Sequence, residues 1–182
     1  MNIIITILLV VAGIIALLLL VAFFMKREHY VNREIIINAP RQKVFDYLKL
    51  LKNQDEFNKH AMTAPDRKRE FKGTDGTVGY IYAWSGDKSA GKGEKEIKNI
   101  IEGKRIETEI RFVKPMRVSA SVIFETESLS DPDSNRDQTK VNLINTGTLK
   151  YPLNIMIPMA EKNFPKDMDE SLSTLKNILE NN

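Results

Sequence analysis

The stretch GDKSAGKG, Gly86 to Gly93, comes within one residue of a phosphate-binding loop. Gly86, Gly91 and Lys92 satisfy the pattern G-x-x-x-x-G-K-[ST], but Gly93 stands where a Ser or Thr hydroxyl would hold magnesium. Such a loop also needs a strand before it and a helix after it, because the helix N-terminus and successive backbone N–H groups bind the anion. The residues that follow, EKEIKNI, alternate in polarity instead of repeating at helical spacing. The stretch therefore reads as the hairpin connection between two antiparallel strands, and no nucleotide is expected as a partner.

The other residues that could do chemistry are sparse. The chain has no cysteine, which excludes thiol catalysis and thiolate metal sites, and its two histidines, His29 and His60, have no zinc-ligand spacing. No cofactor is expected. His29 reads as a charged or interfacial surface residue. His60 lies near the expected mouth of a pocket, where general acid or base work is chemically available, although a partly exposed structural histidine is the plainer reading. Glu94 and Glu96 share one face of a strand, as do Glu107 and Glu109, and such pairs can do acid–base work when burial separates their pKa values. Lys92, Lys98, Arg105 and Arg111 interleave with them, so cross-strand ion pairs on a solvated face account for them. No catalytic constellation emerges.

A binding role has more to work with. Tyr80, Tyr82 and Trp84 form an aromatic row at period two, able to line a cavity or to pack a core. Asn145 shares a face with Val141 and Leu143, where a lone amide bonds either a ligand or a neighbouring backbone carbonyl. The segment Tyr151 to Phe164 carries Met156 and Met159, whose adaptable side chains suit either a lid or a hydrophobic connection.

These residues need a scaffold, and the patterning supplies one. YVNREIIINAP is a strand ending at Ile35-Ile36-Ile37, after which Asn38 is positioned to cap a helix and Pro40 suits its first turn. Val44, Leu48 and Leu51 then recur at helical spacing, with Phe45 beside them. NQDEFNKHAM is a candidate second short helix, broken at Thr63 to Asp66. Strands follow. Ile106, Thr108, Ile110 and Phe112 oppose Arg105, Glu107, Glu109 and Arg111; Val118, Ala120, Val122 and Phe124 share a face in the next; the polar loop LSDPDSNRDQ leads into TKVNLINTGTL. One apolar face per strand means an antiparallel sheet, solvated on one side. Met168, Leu172, Leu175, Ile178 and Leu179 then make the stripe of a long closing helix from Phe164 to Glu180. The order of elements predicts an α+β fold.

Ile3 to Met25 is uncharged and long enough, at about 1.5 Å per residue, to cross a bilayer core of about 30 Å. Met1-Asn2 lacks the basic start of a signal peptide and the run ends in bulky residues, so an uncleaved anchor is favoured. Lys26, Arg27 and Arg33 follow it, which places the body on the cytoplasmic side of a bacterial inner membrane, as a single-pass protein. Residues 1–27 are thus expected to be the anchor and 28–182 one globular domain. The net charge of +3 has both signs interspersed, so nucleic acid is not an expected partner. The basic residues beside the span read as a stop-transfer flank or a contact with anionic lipid.

Several segments carry a family resemblance. GTDGTVGYIYAWSGDKSAGKGEKEI resembles the pattern G-x-x-G-x-x-x-x-W-x-G-[N/D]-x-x-x-G-x-G-x-x-x-I of the SRPBCC superfamily, the START-like helix-grip group that includes polyketide cyclase/dehydrase and lipid-transport proteins; Trp84, Gly86, Asp87, Gly91, Gly93 and Ile97 fall on it. REIIINAPRQKVFDYL resembles the opening strand, Ala-Pro turn and first helix of that group, RFVKPM its F-x-K-P segment, TKVNLINTG a later strand, and SLSTLKNILE the closing helix. Two departures stand out: NQDEFNKHAM replaces a tryptophan-rich segment, with Phe57 available for the packing, and Ser171 replaces a common Gly. The resemblance implies a curved antiparallel sheet wrapped around the last helix, with a deep, largely apolar cavity between them for a lipid, sterol, polyketide or other hydrophobic molecule. Candidate lining residues are Phe57, His60, Tyr80, Tyr82, Trp84, Phe112, Phe124, Asn145, Met156, Met159 and Met168. The implied function is a membrane-anchored binding domain; the alternatives are a cyclase or dehydratase acting on such a ligand and a non-binding interaction module on the membrane.

Overall fold

The computed structural model describes residues 2–64, 66–86, 91–129 and 137–181. Asp87 of the family pattern, Pro65 and most of the loop LSDPDSNRDQ lie outside the described residues. Helix α1 (Ile3–Phe24) carries apolar side chains on every side, and nearly all of them are exposed. It is the one described helix long and apolar enough to cross a membrane. Three residues later strand β1 (Glu28–Ile37) begins, followed by α2 (Arg41–Lys49) and the single-turn helices α3 (Gln54–Phe57) and α4 (Lys59–Met62). Strands β2 (Lys68–Lys72), β3 (Ile81–Ser85), β4 (Lys92–Ile101), β5 (Arg105–Lys114), β6 (Val118–Leu129) and β7 (Gln138–Thr148) come next. A 3₁₀ turn (Leu153–Met156) leads into the closing helix α5 (Ile157–Glu180).

The strands form one seven-stranded sheet in the order β1-β7-β6-β5-β4-β3-β2, antiparallel throughout. Meander connections pair each strand from β2 to β7 with the next, and β1 closes on β7. The stretch Gly86 to Gly93 joins two antiparallel neighbours, and the Gly86 N–H donates to the Gly91 carbonyl at 2.9 Å. The connection is thus a hairpin, and a strand, not a helix, begins at Lys92, so the strand-then-helix order that a phosphate loop needs is not met. Strand β2 has no counterpart in the patterning: KREFK shows no apolar alternation and all five residues are exposed. It is an edge strand held by its ladder with β3.

Helix α5 lays Met168, Leu172, Leu175 and Leu179 on the inner face of the sheet, as their spacing predicts. They meet Val31 and Ile37 of β1, Val141 and Leu143 of β7, and Val122 and Phe124 of β6. Helix α2 adds Val44, Phe45 and Leu48, all fully buried, and closes the end of the core where β1 finishes. Helix α5 starts seven residues earlier than the expected Phe164, and Pro165 lies inside it. Asn38 does not cap α2. The N-cap is Pro40, and Asn38 instead donates its backbone N–H (2.6 Å) and side-chain amide (2.8 Å) to Glu180, tying the end of β1 to the end of α5.

Candidate functional site

The register of the sheet sorts its inner-facing residues into rows that cross the strands. One row runs Tyr82 (β3), Lys95 (β4), Ile110 (β5), Ala120 (β6), Gly147 (β7) and His29 (β1). The row beside it runs Thr108, Val122, Asn145 and Val31, with Ile97 on β4. Nearer α2 the inner face is sealed, with Ile37, Val141 and Ile106 at zero exposure. At the opposite end Lys95, Ile110, Ala120, Asn145 and Gly147 are only half-buried. Ala120 and Gly147 are the small members of this partly uncovered strip, called the trough below, at the end of the sheet where β1 starts and α5 sets out.

Each end of this trough holds an aromatic ring laid over a glycine. A Cβ on Gly93 would come within 2.7 Å of the Trp84 indole, and one on Gly147 within 2.8 Å of the His29 ring. Side chains at these two positions would displace the rings, so glycine is what lets the rings lie flat against the sheet. His29 is buried rather than on the surface, which corrects the expectation of an interfacial role. Its position on β1 turns it onto the inner face, where its Nε2 pairs with Asn145 Oδ1 at 2.8 Å and its ring meets Phe164 of α5 edge-on. Asn145 thus bonds a side chain, neither of the two partners expected for it.

At the other end lies a polar cluster that the sequence reading missed. Asp55 of α3 accepts hydrogen bonds from Arg67, from Arg69 of β2 at 3.0 Å, and from the Tyr82 hydroxyl. Arg67 also donates to Tyr82 Oη at 2.7 Å and stands over the Tyr82 and Trp84 rings at 5.5 and 5.7 Å. Its side chain is only 8% exposed, and its Nε has no partner. Lys95 donates to Gln54 Oε1 at 2.8 Å, and Gln54 is itself fixed by donating to the Leu48 carbonyl. The Tyr80 hydroxyl, beside the cluster, is buried without a partner. Burial pushes the Lys95 ammonium down to about 8; Asp55 opposes that shift and Arg67 adds to it. Burial raises the Tyr80 phenol to about 12 and, with Asp55, raises Tyr82 as well. The cluster was legible in one respect: Lys95 has the parity of Gly93 and Ile97, the inner set of β4, while Glu94 and Glu96 have the outer one.

The remaining predicted residues divide. Tyr80, Tyr82, Trp84 and Phe124 are buried on the inner face, Phe57 packs edge-on against Phe124, and Met168 lies in the core. Phe112 stands at the rim, edge-on to Trp84 and more than a third exposed. His60 is on the outside of α4, its side chain 70% exposed and its Nε2 3.5 Å from Asp167. Met156 is half-buried in the 3₁₀ turn, and Met159 is exposed on the first turns of α5. The segment read as lid or connection is therefore a helix start docked on α1: Asn154, fully buried, donates to the Ala22 carbonyl at 2.6 Å and the Met25 carbonyl at 3.1 Å. Lys26 pairs with Glu161 and Arg33 with Asp169, both on α5, so two of the three basic residues after the span brace the body.

The outer face carries the ion pairs expected of it. Arg111 binds Glu94, Glu96 and Glu109, and Arg105 binds Glu107 and Glu125. A groove of 1020 Å³ is lined by Glu109, Ser119, Ser121 and Thr146 of this face together with Phe112, Ala120 and Gly147 of the inner rows, and a second depression of 580 Å³ by Ile36, Lys140 and Lys176 of α5. Among the described residues no acidic or histidine cluster could hold a metal ion.

A seven-stranded antiparallel sheet gripping a long C-terminal helix defines this chain as a helix-grip α+β protein. Solved structures agree. A hypothetical protein from Helicobacter pylori is similar with a TM-score of 0.62 at 10% identity, covering 83% of this chain and 88% of that one. Ara h 8.0201 is similar with a TM-score of 0.57 at 14% identity, over 85% of this chain and 99% of that one. DynU16, from the dynemicin biosynthetic locus, is similar with a TM-score of 0.53 at 11% identity, over 83% of this chain and 47% of that one. No protein-family model and no curated protein matches the sequence.

Proposed function

We propose that the chain is a membrane-anchored binding domain for a hydrophobic small molecule, lipid or polyketide-like, held between the inner face of the sheet and α5. The observation that carries this reading is the half-buried trough: core-facing positions from Lys95 to Gly147 are left partly uncovered while Ile37, Ile106 and Val141 on the same face are sealed. Buried aromatic side chains at one end and small residues in the middle suit an elongated apolar ligand, and apolar burial would supply most of the binding free energy. The origin of one structural neighbour in a biosynthetic locus is in keeping with a small-molecule ligand.

Helix α1 is the anchor in this reading. Its 22 residues span about 33 Å at about 1.5 Å per residue, enough for the hydrocarbon core. Residues 1–27 form the anchor and 28–182 the binding domain, on the cytoplasmic side by the charge bias of Lys26 and Arg27. Phe112, Val113, Tyr151 and Met159 are exposed, and Tyr151 and Met159 flank the 3₁₀ turn docked on α1, where a bilayer surface would receive them.

The test is native mass spectrometry of the full chain released from detergent. A retained hydrophobic mass is expected, and Ala120→Phe, which fills the middle of the trough, is expected to abolish it without changing the circular dichroism spectrum. A chain that retains nothing, and acquires nothing from added long-chain amphiphiles, overturns the reading.

A further inference from the structure

The buried polar cluster gives the ligand a chemistry. Arg67, Arg69 and Lys95 converge from the lead-in to β2, β2 itself and β4, and Asp55 is the carboxylate that both arginines bond. Asp55 is already engaged by both arginines and by Tyr82. Lys95 has three donors, of which one goes to the neutral Gln54 carbonyl oxygen. Arg67 Nε is buried with no acceptor. Cationic donors held away from water are costly unless an acceptor of opposite charge joins them. Nature satisfies most buried donors, so an unfilled set on a partly open face points to a missing acceptor.

We propose that this cluster seats the anionic head group of the ligand, a carboxylate or phosphate monoester, and that the ligand's apolar tail lies along the trough towards His29 and Phe164. The proposal rests on the binding reading above and adds the class of ligand. Lys95 sits in the same cross-strand row as Ile110, Ala120, Gly147 and His29, so head and tail would share one straight path over the inner face. Four strand spacings separate β4 from β1 in the sheet order, about 19 Å at about 4.8 Å each, which suits a long acyl or alkyl chain. At the tail end the His29 ring meets Phe164 and its Nε2 is bonded to Asn145, while its Nδ1 is buried without a partner and would lie against the end of the chain. Arg67 offers its unpartnered Nε–H, since one of its terminal nitrogens already serves Asp55 and Tyr82, while Lys95 adds a point charge and Tyr80 a hydroxyl without a partner.

The experiment offers the full chain, in detergent, an equimolar mixture of hexadecanoate, hexadecyl phosphate and hexadecanol and reads the retained masses. The anion is expected to be retained at least about tenfold over the alcohol, since one charge-assisted hydrogen bond suffices for that ratio. Whichever anion dominates names the head group. Lys95→Met and, separately, Arg67→Met are expected to remove the preference, whereas Lys98→Met, an exposed lysine three positions further along β4, keeps it. A second measurement needs no mutation: the 13C carboxyl resonance of labelled hexadecanoate should show a bound species that stays ionised to lower pH than the micellar acid. Equal retention of acid, phosphate and alcohol overturns the head-group proposal and leaves the hydrophobic-ligand reading standing. Retention of none of the three overturns both.

Discussion

In the proposed head-group seat, Lys95 is the side chain at which stability and binding would pull in opposite directions. Burial lowers its pKa to about 8 from an ordinary value of 10.5, so the folded chain holds that proton less tightly than the unfolded chain does. The buried ammonium therefore costs stability below about pH 8, and the cost fades as pH rises towards 10.5. Lys95→Met should stabilise the ligand-free chain by about 2 kcal/mol at pH 7, with the gain shrinking towards zero near pH 10.5, in paired urea titrations. A variant no more stable than the parent at pH 7 would show that the ammonium is better solvated than its position implies. At the far end of the same row Gly147→Ala should cost about 1–3 kcal/mol, because the new methyl meets both the His29 ring and the Ser119 carbonyl. Loss of the His29 to Asn145 contact would appear in the imidazole resonances. Neither residue was easy to read in one dimension. His29 looks like a juxtamembrane polar residue until β1 is known to begin at Glu28, and Lys95 looks like one more charge in a run of them. The aromatic row of Tyr80, Tyr82 and Trp84 was legible because its period and its bulk agree.

Among the elements, the closing helix and the strands β5, β6 and β7 could be written from the sequence because each repeats an apolar side chain at a single period. Strand β2 could not, since KREFK earns its place only by pairing with β3. The two single-turn helices are likewise held from outside. The Lys59 N–H of α4 donates to Ser171 Oγ of α5 at 3.1 Å, and the Lys59 ammonium pairs with Asp167 and Glu170. Ser171 thus fastens α4 to α5, a contact that a glycine at that position could not make. Ser171→Gly is expected to cost about 1 kcal/mol through the lost acceptor and the added backbone freedom, and to raise hydrogen exchange selectively in Lys59 to Met62. Uniform exchange across the chain would contradict this account. The 3₁₀ turn depends in the same way on Asn154, whose two bonds reach carbonyls at the end of α1. Asn154→Ala should free that turn and leave the sheet protected, again read by exchange.

For the molecule as a whole, the α1 end gathers the open part of the inner face, the exposed rim residues Phe112 and Tyr151, and the docked start of α5. Opposite it, α2 and the end of α5 seal the core. In the proposed binding mode this polarity lets one face of one sheet serve two ends: the sealed half contributes stability and the open half is left to bind. If α1 spans the bilayer, vesicles carrying the full chain should protect Ile3 to Phe24 from proteolysis while the body stays accessible from one side only.

The link from α1 to β1 is three residues, Met25 to Arg27, reinforced by Asn154 and by the Lys26 to Glu161 pair. So short a tether leaves the domain almost no search volume. Its opening would face a two-dimensional reservoir of amphiphiles at a fixed height, and a ligand would move by stepping out of the leaflet, never crossing bulk water. Exchange would then be set by how fast the leaflet gives up a molecule, and the total amount of ligand in the aqueous phase would hardly matter. Lengthening the link with ten Gly/Ser residues should leave affinity unchanged and slow transfer between vesicle and protein by about an order of magnitude, as effective concentration falls with tether length.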